Sequence, residues 1–336
     1  MDEIRLGTIG SGAIVHEILE RVTAVEGICC RAVYSRTRET GEALAKKFQV
    51  PKVYTDMEAF LSDDTLNFIY IASPNSLHYP QIKNALNHGK NVICEKPLCA
   101  TKQEAEDVIA LAKARRLFLV DAVPTAFLPN FEIIKKQLPK IGPIKLVLCN
   151  YTQYSSRYDQ LLGGAAPNVF NPAFAGGCLQ DINFYNVYFA AALFGKPLET
   201  VYFANRYQHL ADTSGVMLMR YDGFVCAAAG SKDARGESLA QIEGESGYIA
   251  IPGGSNGIAQ VRVVTENSDE IFNAQEHPDR WLYEVEAVTR MILVDDYQRA
   301  CRLLETTVDV MEVIEISRKK EGIFFPGDVP QPTQET

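Results

Sequence analysis

Tryptophan occurs once in the 336 residues and histidine five times, and neither histidines nor cysteines fall at zinc-like spacings. Cys29, Cys30, Cys94, Cys99, Cys149, Cys178, Cys226 and Cys301 are scattered without a CxxC pair, so no structural metal site is expected and buried free thiols are the plain reading. No apolar run approaches the roughly 18 residues of a membrane span. The opening MDEIRLGTIGSG has neither a basic segment nor an apolar leader, so no export signal is read there. With free thiols, this points to the reducing cytoplasm. Cationic excess is missing too: 33 Lys and Arg face 42 Asp and Glu, a net charge of −9, which disfavours nucleic acid and anionic membrane as partners. A local basic patch for a phosphate remains compatible with that balance.

What is present is an ordinary globular composition, 47% hydrophobic and 22% charged, in a chain long enough for two cores. Neither internal repeats nor a low-complexity linker interrupts it, so two closely packed domains are expected. From residue 4 to about 121, short apolar runs alternate with helical-period segments. Strands are expected at Ile4–Ile9, Cys29–Tyr34, near Val53, and at Leu66–Ile71, Asn91–Cys94 and Phe118–Asp121. Helices are expected from about Ala13, then over Thr37–Phe48, His78–His88 and Thr101–Arg115, the last opened by a Thr101/Glu104 capping box.

This rhythm implies α/β architecture, a doubly wound parallel sheet, for residues 1–121. Beyond residue 122 it changes. Helices near Asn130–Leu138 and through Asp181–Phe194 accompany strands at Ile144–Tyr151, Thr200–Tyr207, Gly215–Tyr221, Phe224–Ala229, Tyr248–Ile251 and Val261–Thr265. Two long helices, 279–293 and 297–318, close the chain. The reading is an α+β domain over 122–326 with a large mixed, mainly antiparallel sheet, followed by a loose tail over 327–336.

The first strand runs into Gly10-Ser11-Gly12-Ala13-Ile14-Val15. Gly10 permits a tight turn, Gly12 lets the backbone approach a pyrophosphate, and Ala13 and Ile14 open a helix whose free N–H groups and dipole favour an anion. Val15 replaces the third glycine of the full dinucleotide fingerprint. A purely structural glycine turn is the competing reading, and its place after the first strand of a βαβ unit favours nucleotide.

After the second strand, an NAD site usually carries an acidic residue for the ribose hydroxyls. Here the sequence is Tyr34-Ser35-Arg36-Thr37-Arg38. Ser35 and Arg36 suit the extra 2′-phosphate of NADP(H), because guanidinium binds phosphate in two-point fashion. NADP(H) is therefore preferred and NAD(H) stays open, as does the reading that Arg36 and Arg38 are merely solvated.

Two later segments carry a resemblance: Ala72-Ser73-Pro74-Asn75-Ser76-Leu77-His78, and Gly89-Lys90-Asn91-Val92-Ile93-Cys94-Glu95-Lys96-Pro97-Leu98. With the glycine loop and the later Gly176-Gly177-Cys178-Leu179-Gln180-Asp181-Ile182-Asn183-Phe184-Tyr185, the chain resembles the glucose-fructose oxidoreductase/inositol dehydrogenase/MocA (Gfo/Idh/MocA) family, with its P-N-x-x-H loop and E-K-P turn. The resemblance implies an NAD(P)-dependent oxidoreductase moving a hydride between nicotinamide and a carbonyl or secondary alcohol of a sugar-like or dihydrodiol-like small molecule. It puts Lys96 beside the nicotinamide, Glu95 near its ribose, and Ala72, Ser73, Asn75 and His78 around the cofactor. A homodimer or dimer of dimers is implied as well.

In the family's Gly-Gly-x-Leu-x-Asp-x-Gly-x-His signature, Asp and His lie four apart on one helical face. Asp181 and Tyr185 keep that spacing, with tyrosine replacing histidine as in the dihydrodiol dehydrogenase branch. The implied catalytic set is Lys96, Asp181 and Tyr185, Lys96 lowering the phenol's pKa from its ordinary value near 10. The bland reading of Tyr185 is core packing within an aromatic run. Two other classes compete. A nucleotide-binding sensor without turnover is disfavoured by the intact Lys-Asp-Tyr set. A methyltransferase would want an acidic residue where Ser35-Arg36 stand. Asn168, Arg157 and Tyr283 receive no firm role from sequence.

Overall fold

The structure is a computed structural model that describes residues 2–208 and 210–328. Its first half alternates strictly: β1 (Ile4–Ile9), α1 (Ala13–Val22), β2 (Ile28–Tyr34), α2 (Arg38–Phe48), β3 (Lys52–Tyr54), α3 (Met57–Leu61), β4 (Phe68–Ile71), α4 (His78–Asn87), β5 (Asn91–Glu95), α5 (Lys102–Arg115), β6 (Leu119–Ala122). The strands form a parallel sheet in the order β3-β2-β1-β4-β5-β6. Strand order reverses between β1 and β4, which opens a crevice at their carboxyl ends. β4 is buried at every position, as a strand covered by helices on both faces must be. The Thr101 capping box is formed, with Glu104 N donating to Oγ1 at 3.2 Å and Thr101 N to the Glu104 carboxylate at 3.3 Å.

The second half adds α6 (Pro129–Gln137), β7 (Ile144–Thr152), α7 (Ser156–Leu162), α8 (Phe184–Phe194), β8 (Glu199–Arg206), β9 (Asp212–Arg220), β10 (Val225–Ser231), β11 (Leu239–Gly244), β12 (Gly247–Pro252), β13 (Val261–Thr265) and β14 (Asp269–Phe272), then α9 (Arg280–Leu293) and α10 (Tyr297–Lys320). The strands make one sheet in the order β14-β13-β12-β11-β7-β10-β9-β8. Only β7 and β10 pair in parallel, so the sheet is mixed and mainly antiparallel as expected.

Four elements were not anticipated from sequence. α3 and α7 are too short to show a helical period. β14 has only Ile271 and Phe272 as apolar residues, while β11 hides a central strand behind Ala240, Gln241 and Glu243.

α9 crosses back to the first sheet, where Val285, Val288, Met291 and Ile292 join Ile4, Leu6, Val15 and Ile18 in one core cluster. Asp279 caps it, accepting from Trp281 N and Leu282 N, a contribution of about 1 kcal/mol. α10 packs on α5, α8, β6 and β8, and so ties both sheets together. Near its end Arg318, 1% exposed, is held by both oxygens of Asp328 and donates to the carbonyls of Ile323 and Ala100. Of the tail expected over 327–336, Asp328 is thus pinned inside, and 329–336 lie outside the described residues. Among the described residues, no helix is long and apolar enough to cross a membrane, and no group of three His, Cys, Asp or Glu could hold a metal ion.

Candidate active site

A cleft of about 890 Å3 runs from the β1 and β2 ends to the loops before α8. Its floor is the glycine turn. Gly10 has φ +118°, and a Cβ there would meet the Ala72 carbonyl oxygen at 2.7 Å, so the close strand-to-strand approach requires glycine. Gly12 is the opposite case: a Cβ there meets nothing within 4 Å, because it faces the open cleft. A dinucleotide's phosphates fit that open face, beside Ser11 and ahead of Ala13 and Ile14, where α1 leaves its first N–H groups unbonded. Val15, in the third-glycine position, is fully buried under the turn.

At the β2 end, Ser35, Arg36 and Thr37 line the cleft as expected, and Thr40 joins them from α2. The three hydroxyls interlock: Ser35 Oγ lies 2.5 Å from Thr40 Oγ1, which lies 2.7 Å from Thr37 Oγ1. Arg38 instead turns outward to Glu42, 3.5 Å away. Thr40 was missed because its hydroxyl enters the site from the first turn of a helix.

Ala72, Ser73 and Asn75 also line the cleft. Ser73 Oγ donates to Gln81, and Asn75 Nδ2 donates to the Ala175 carbonyl at 2.9 Å, a bond across the two domains. His78 sits apart from this lining. It is fully buried, its ring nitrogens 2.9 Å from the carbonyls of Pro97 and Ser73, so it braces the P-N-x-x-H loop against the E-K-P turn.

Asp181 lines the inner end, and Lys96 and Tyr185 lie beside it, largely buried and outside the lining. Lys96 Nζ donates to Asp181 Oδ1 and to the Asp181 carbonyl, both at 2.8 Å, and lies 5.0 Å from the Tyr185 ring centroid. The helix expected through Asp181 begins instead as a π turn, Leu179–Asn183, before α8. Such a turn bonds i to i+5 in place of i to i+4, and within it the Asp181 carbonyl accepts from Lys96. Gly176 and Gly177 bring this turn close to its neighbours: a Cβ would meet Asn168 O at 2.4 Å or Asp212 Oδ1 at 2.3 Å. Asp212 then accepts from Leu179 N, 2.6 Å away, at the head of the turn.

Burial opposes the Asp181 charge, yet Lys96 and Lys232 outweigh it and hold the carboxyl well below the usual range. Burial likewise opposes the Lys96 charge, and Asp181 overcomes it, keeping the ammonium above its ordinary value. Tyr185 behaves otherwise than expected. Burial pushes its phenol up to about 12, more than Lys96 and Arg280 pull it down, because Lys96 bonds Asp181 and meets only the face of the ring. Tyr185 therefore stands as a neutral phenol. Glu95 accepts from Tyr70 at 2.6 Å, and its carboxyl is raised by burial.

Two basic residues here had no sequence signal. Lys232 follows β10 and pairs with the other oxygen of Asp181. Arg280, at the head of α9, lies 6.0 Å from the Tyr185 ring centroid and 4.6 Å from that of Trp281. Neither belongs to a motif, and only the fold brings them in. Arg157 and Asn168 line the cleft, whereas Tyr283 stacks on His277 elsewhere. Asn183, in place of a motif glycine, is fully buried and donates to the Ala228 carbonyl.

A doubly wound sheet with this glycine turn, joined to a sheet-backed cleft lined by Asp181 with Lys96 bonded to it, defines a nucleotide-dependent oxidoreductase. The chain belongs to the Gfo/Idh/MocA oxidoreductase family: the NAD-binding Rossmann-fold model matches residues 4–121 and the C-terminal domain model matches 137–250. It is 35% identical to the uncharacterized oxidoreductase YgjR of Escherichia coli, over 97% of this chain and 98% of that one. It is 34% identical to the scyllo-inositol 2-dehydrogenase (NADP(+)) IolU of Bacillus subtilis, over 97% and 99%. A mouse trans-1,2-dihydrobenzene-1,2-diol dehydrogenase is 25% identical over 97% and 99%. In fold it is similar to a 3-ketoreductase from Actinomadura kijaniata solved with NADP and TDP-benzene, with a TM-score of 0.84 at 21% identity, covering 94% and 97% of the two chains. The protein is thus an NAD(P)-dependent oxidoreductase.

Proposed function

We propose that the protein is an NADP(H)-preferring reductase and dehydrogenase of a sugar-like or dihydrodiol-like small molecule, with Lys96, Asp181 and Tyr185 as its catalytic set. The observation that carries this reading is the approach of Lys96 to both the Tyr185 ring and Asp181, the last of which lines the inner end of the dinucleotide cleft. The scyllo-inositol and dihydrodiol activities named for two relatives support the substrate class.

When bound, the nicotinamide supplies or takes the hydride. Ser11, Gly12 and the head of α1 would hold its pyrophosphate, Ser35 and Arg36 its adenosine ribose phosphate, and Ala72, Ser73, Asn75 and Glu95 the remainder, with His78 bracing the last loop. Tyr185 Oη gives its proton to the substrate oxygen in reduction and takes it back in oxidation. Lys96 Nζ donates to that same oxygen and stabilises the negative charge that develops there. Asp181 holds Lys96 in position. A screen of aldoses, polyols, dihydrodiols and their carbonyl forms with NADPH and NADH, followed by nicotinamide absorbance, tests the reading. Absence of turnover across the panel would remove it.

Arg36 and its hydroxyl neighbours support the cofactor preference. Arg36→Ala is expected to weaken NADPH binding about tenfold or more and to leave NADH binding within about twofold, since one charge-assisted contact contributes about 1.5–3 kcal/mol. Quenching of Trp281, which lies between Arg21 and Arg280, reads both. Equal losses for the two cofactors would refute the preference.

The phenol at about 12 sets a pH signature. Reduction uses the protonated form and should stay flat across neutrality. Oxidation needs the phenolate, so kcat/KM should climb about tenfold per pH unit through about pH 9. A plateau by pH 7 in oxidation would contradict it.

Assembly as a homodimer or dimer of dimers is supported by the outer face of the large sheet. Val201 pairs with Leu218 and Phe203 with Val216, and with Val225 and Leu239 they form an exposed apolar patch. Light scattering should give at least a dimer, and Phe203→Asp with Leu218→Asp a monomer that still binds NADPH. The eight free thiols support a cytoplasmic setting.

A further inference from the structure

We propose that Lys232 is a positioning residue for the reaction: from the substrate domain it clamps the second carboxylate oxygen of Asp181, so that the first is presented to Lys96 across the cleft. This rests on the function proposed above.

The two bonds to Asp181 differ in origin. Lys96 comes from the end of β5 in the nucleotide domain, whereas Lys232 directly follows β10 in the sheet behind Asp181. Lys232 is itself fixed on both sides of its backbone, its N–H donating to Thr213 O and its carbonyl accepting from Ser155 N, each at 2.9 Å. Its side chain is 7% exposed, so its ammonium is withheld from bulk water and has reason to stay paired. Neighbouring Asp233 does not compete for it. That carboxylate is occupied by the hydroxyls of Thr213, Ser214 and Ser231.

The charge arithmetic favours function over simple stability. Asp181 alone would neutralise Lys96 and cancel the positive charge that a developing alkoxide needs. With Lys232 added, two ammoniums share one carboxylate, and the group keeps a net positive charge where it faces the substrate. Both oxygens being engaged, Asp181 is also barred from acting as a base. Lys96, just after β5, and Lys232, just after β10, face it directly; Glu95 and Tyr185 stand around Lys96, Asp212 and Asp233 around Cys178 of its own segment, and Arg280 of α9 beyond Tyr185. The cations closest to the carboxylate are Lys96 and Lys232.

The test compares Lys232→Met and Lys232→Arg in the full chain. Carboxyl NMR of aspartate-labelled protein with NADP+ bound, assigned with Asp181→Asn, follows Asp181 directly. In the wild type Asp181 should stay ionised down to acid unfolding. In Lys232→Met its midpoint should rise by at least about one pH unit, since one of two cations is gone. With a substrate from the panel, kcat should fall at least about tenfold, increasingly so toward acid pH, while NADPH affinity is kept; Lys232→Arg should recover both measurements to within about threefold. The proposal is overturned if Lys232→Met leaves the Asp181 midpoint in place, whether activity is unchanged or falls equally at every pH with a lowered Tm. Should no panel substrate turn over, the carboxyl titration still decides the clamp, while the proposed function fails separately.

Discussion

Lys96→Met is expected to lower kcat/KM at least about a thousandfold while changing NADPH affinity less than about threefold. The variant keeps the length of the side chain and removes the charge, so both bonds from Nζ to Asp181 and the donor for the substrate oxygen disappear together. Loss of one preorganised charge-stabilising donor costs about 3–4 kcal/mol in the transition state, and a displaced proton-transfer partner adds to that. Tyr185→Phe removes only the hydroxyl from a ring already packed against Tyr151 and Phe184, so folding should be untouched and kcat should fall by about 10²–10⁴. The two losses should not add in the double variant, because both groups act on one oxygen. Near-wild-type turnover in either single variant, measured with NADPH saturating, would dismantle the catalytic assignment.

The largest stability effect is expected far from the cleft. Asp328→Ala should destabilise the protein by about 3–5 kcal/mol, because it strands the Arg318 guanidinium, 1% exposed, without its counter-charge. Arg318 would keep only the carbonyls of Ile323 and Ala100 and its place over the Phe325 ring. Asp269→Ala, which breaks the exposed pair with Arg262, should cost under about 1 kcal/mol and serves as the comparison. Denaturant unfolding measures both; equal effects would mean that burial does not decide. Burial opposes the Asp328 charge, but Arg318 holds its carboxyl below the ordinary range in the folded state. Its contribution is therefore complete above the unfolded value of about 4 and is lost as pH falls through the folded one.

That pair shows where sequence reading stopped. PGDVPQPTQET reads as a tail because Pro, Gly and polar residues carry no period, and nothing local announces that Asp328 meets an arginine on α10. The first sheet was legible strand by strand because its strands are short, mostly apolar runs, FIYI of β4 the most complete, set between segments of helical period. β11 was hidden because its buried residues, Ala240 and Ile242, alternate with Gln241 and Glu243 over too few positions to stand out. In the site, Gly10 and Gly12 were legible from their place after β1, and Lys96, Asp181 and Tyr185 only through the family motifs that the chain resembles. Lys232 and Arg280 were not, since each reaches the site by sheet pairing or helix packing across the chain. The spacing of Asp181 and Tyr185 was right for a reason the sequence could not supply, namely that a π turn separates them. The same spacing gave no view of the Tyr185 proton, because it does not say which face of the ring Lys96 meets.

The π turn at Leu179–Asn183 amounts to one residue more than a regular helix would need. Deleting Ile182 or Asn183 would let the segment relax into an ordinary helix, yet would bring Asp181 and Tyr185 from four positions apart to three and so turn one about 100° away from the other. Asp181 and Tyr185 would then no longer share Lys96. Length in this stretch is accordingly constrained together with its side chains, four of which are buried while the fifth is the carboxylate that Lys96 and Lys232 share.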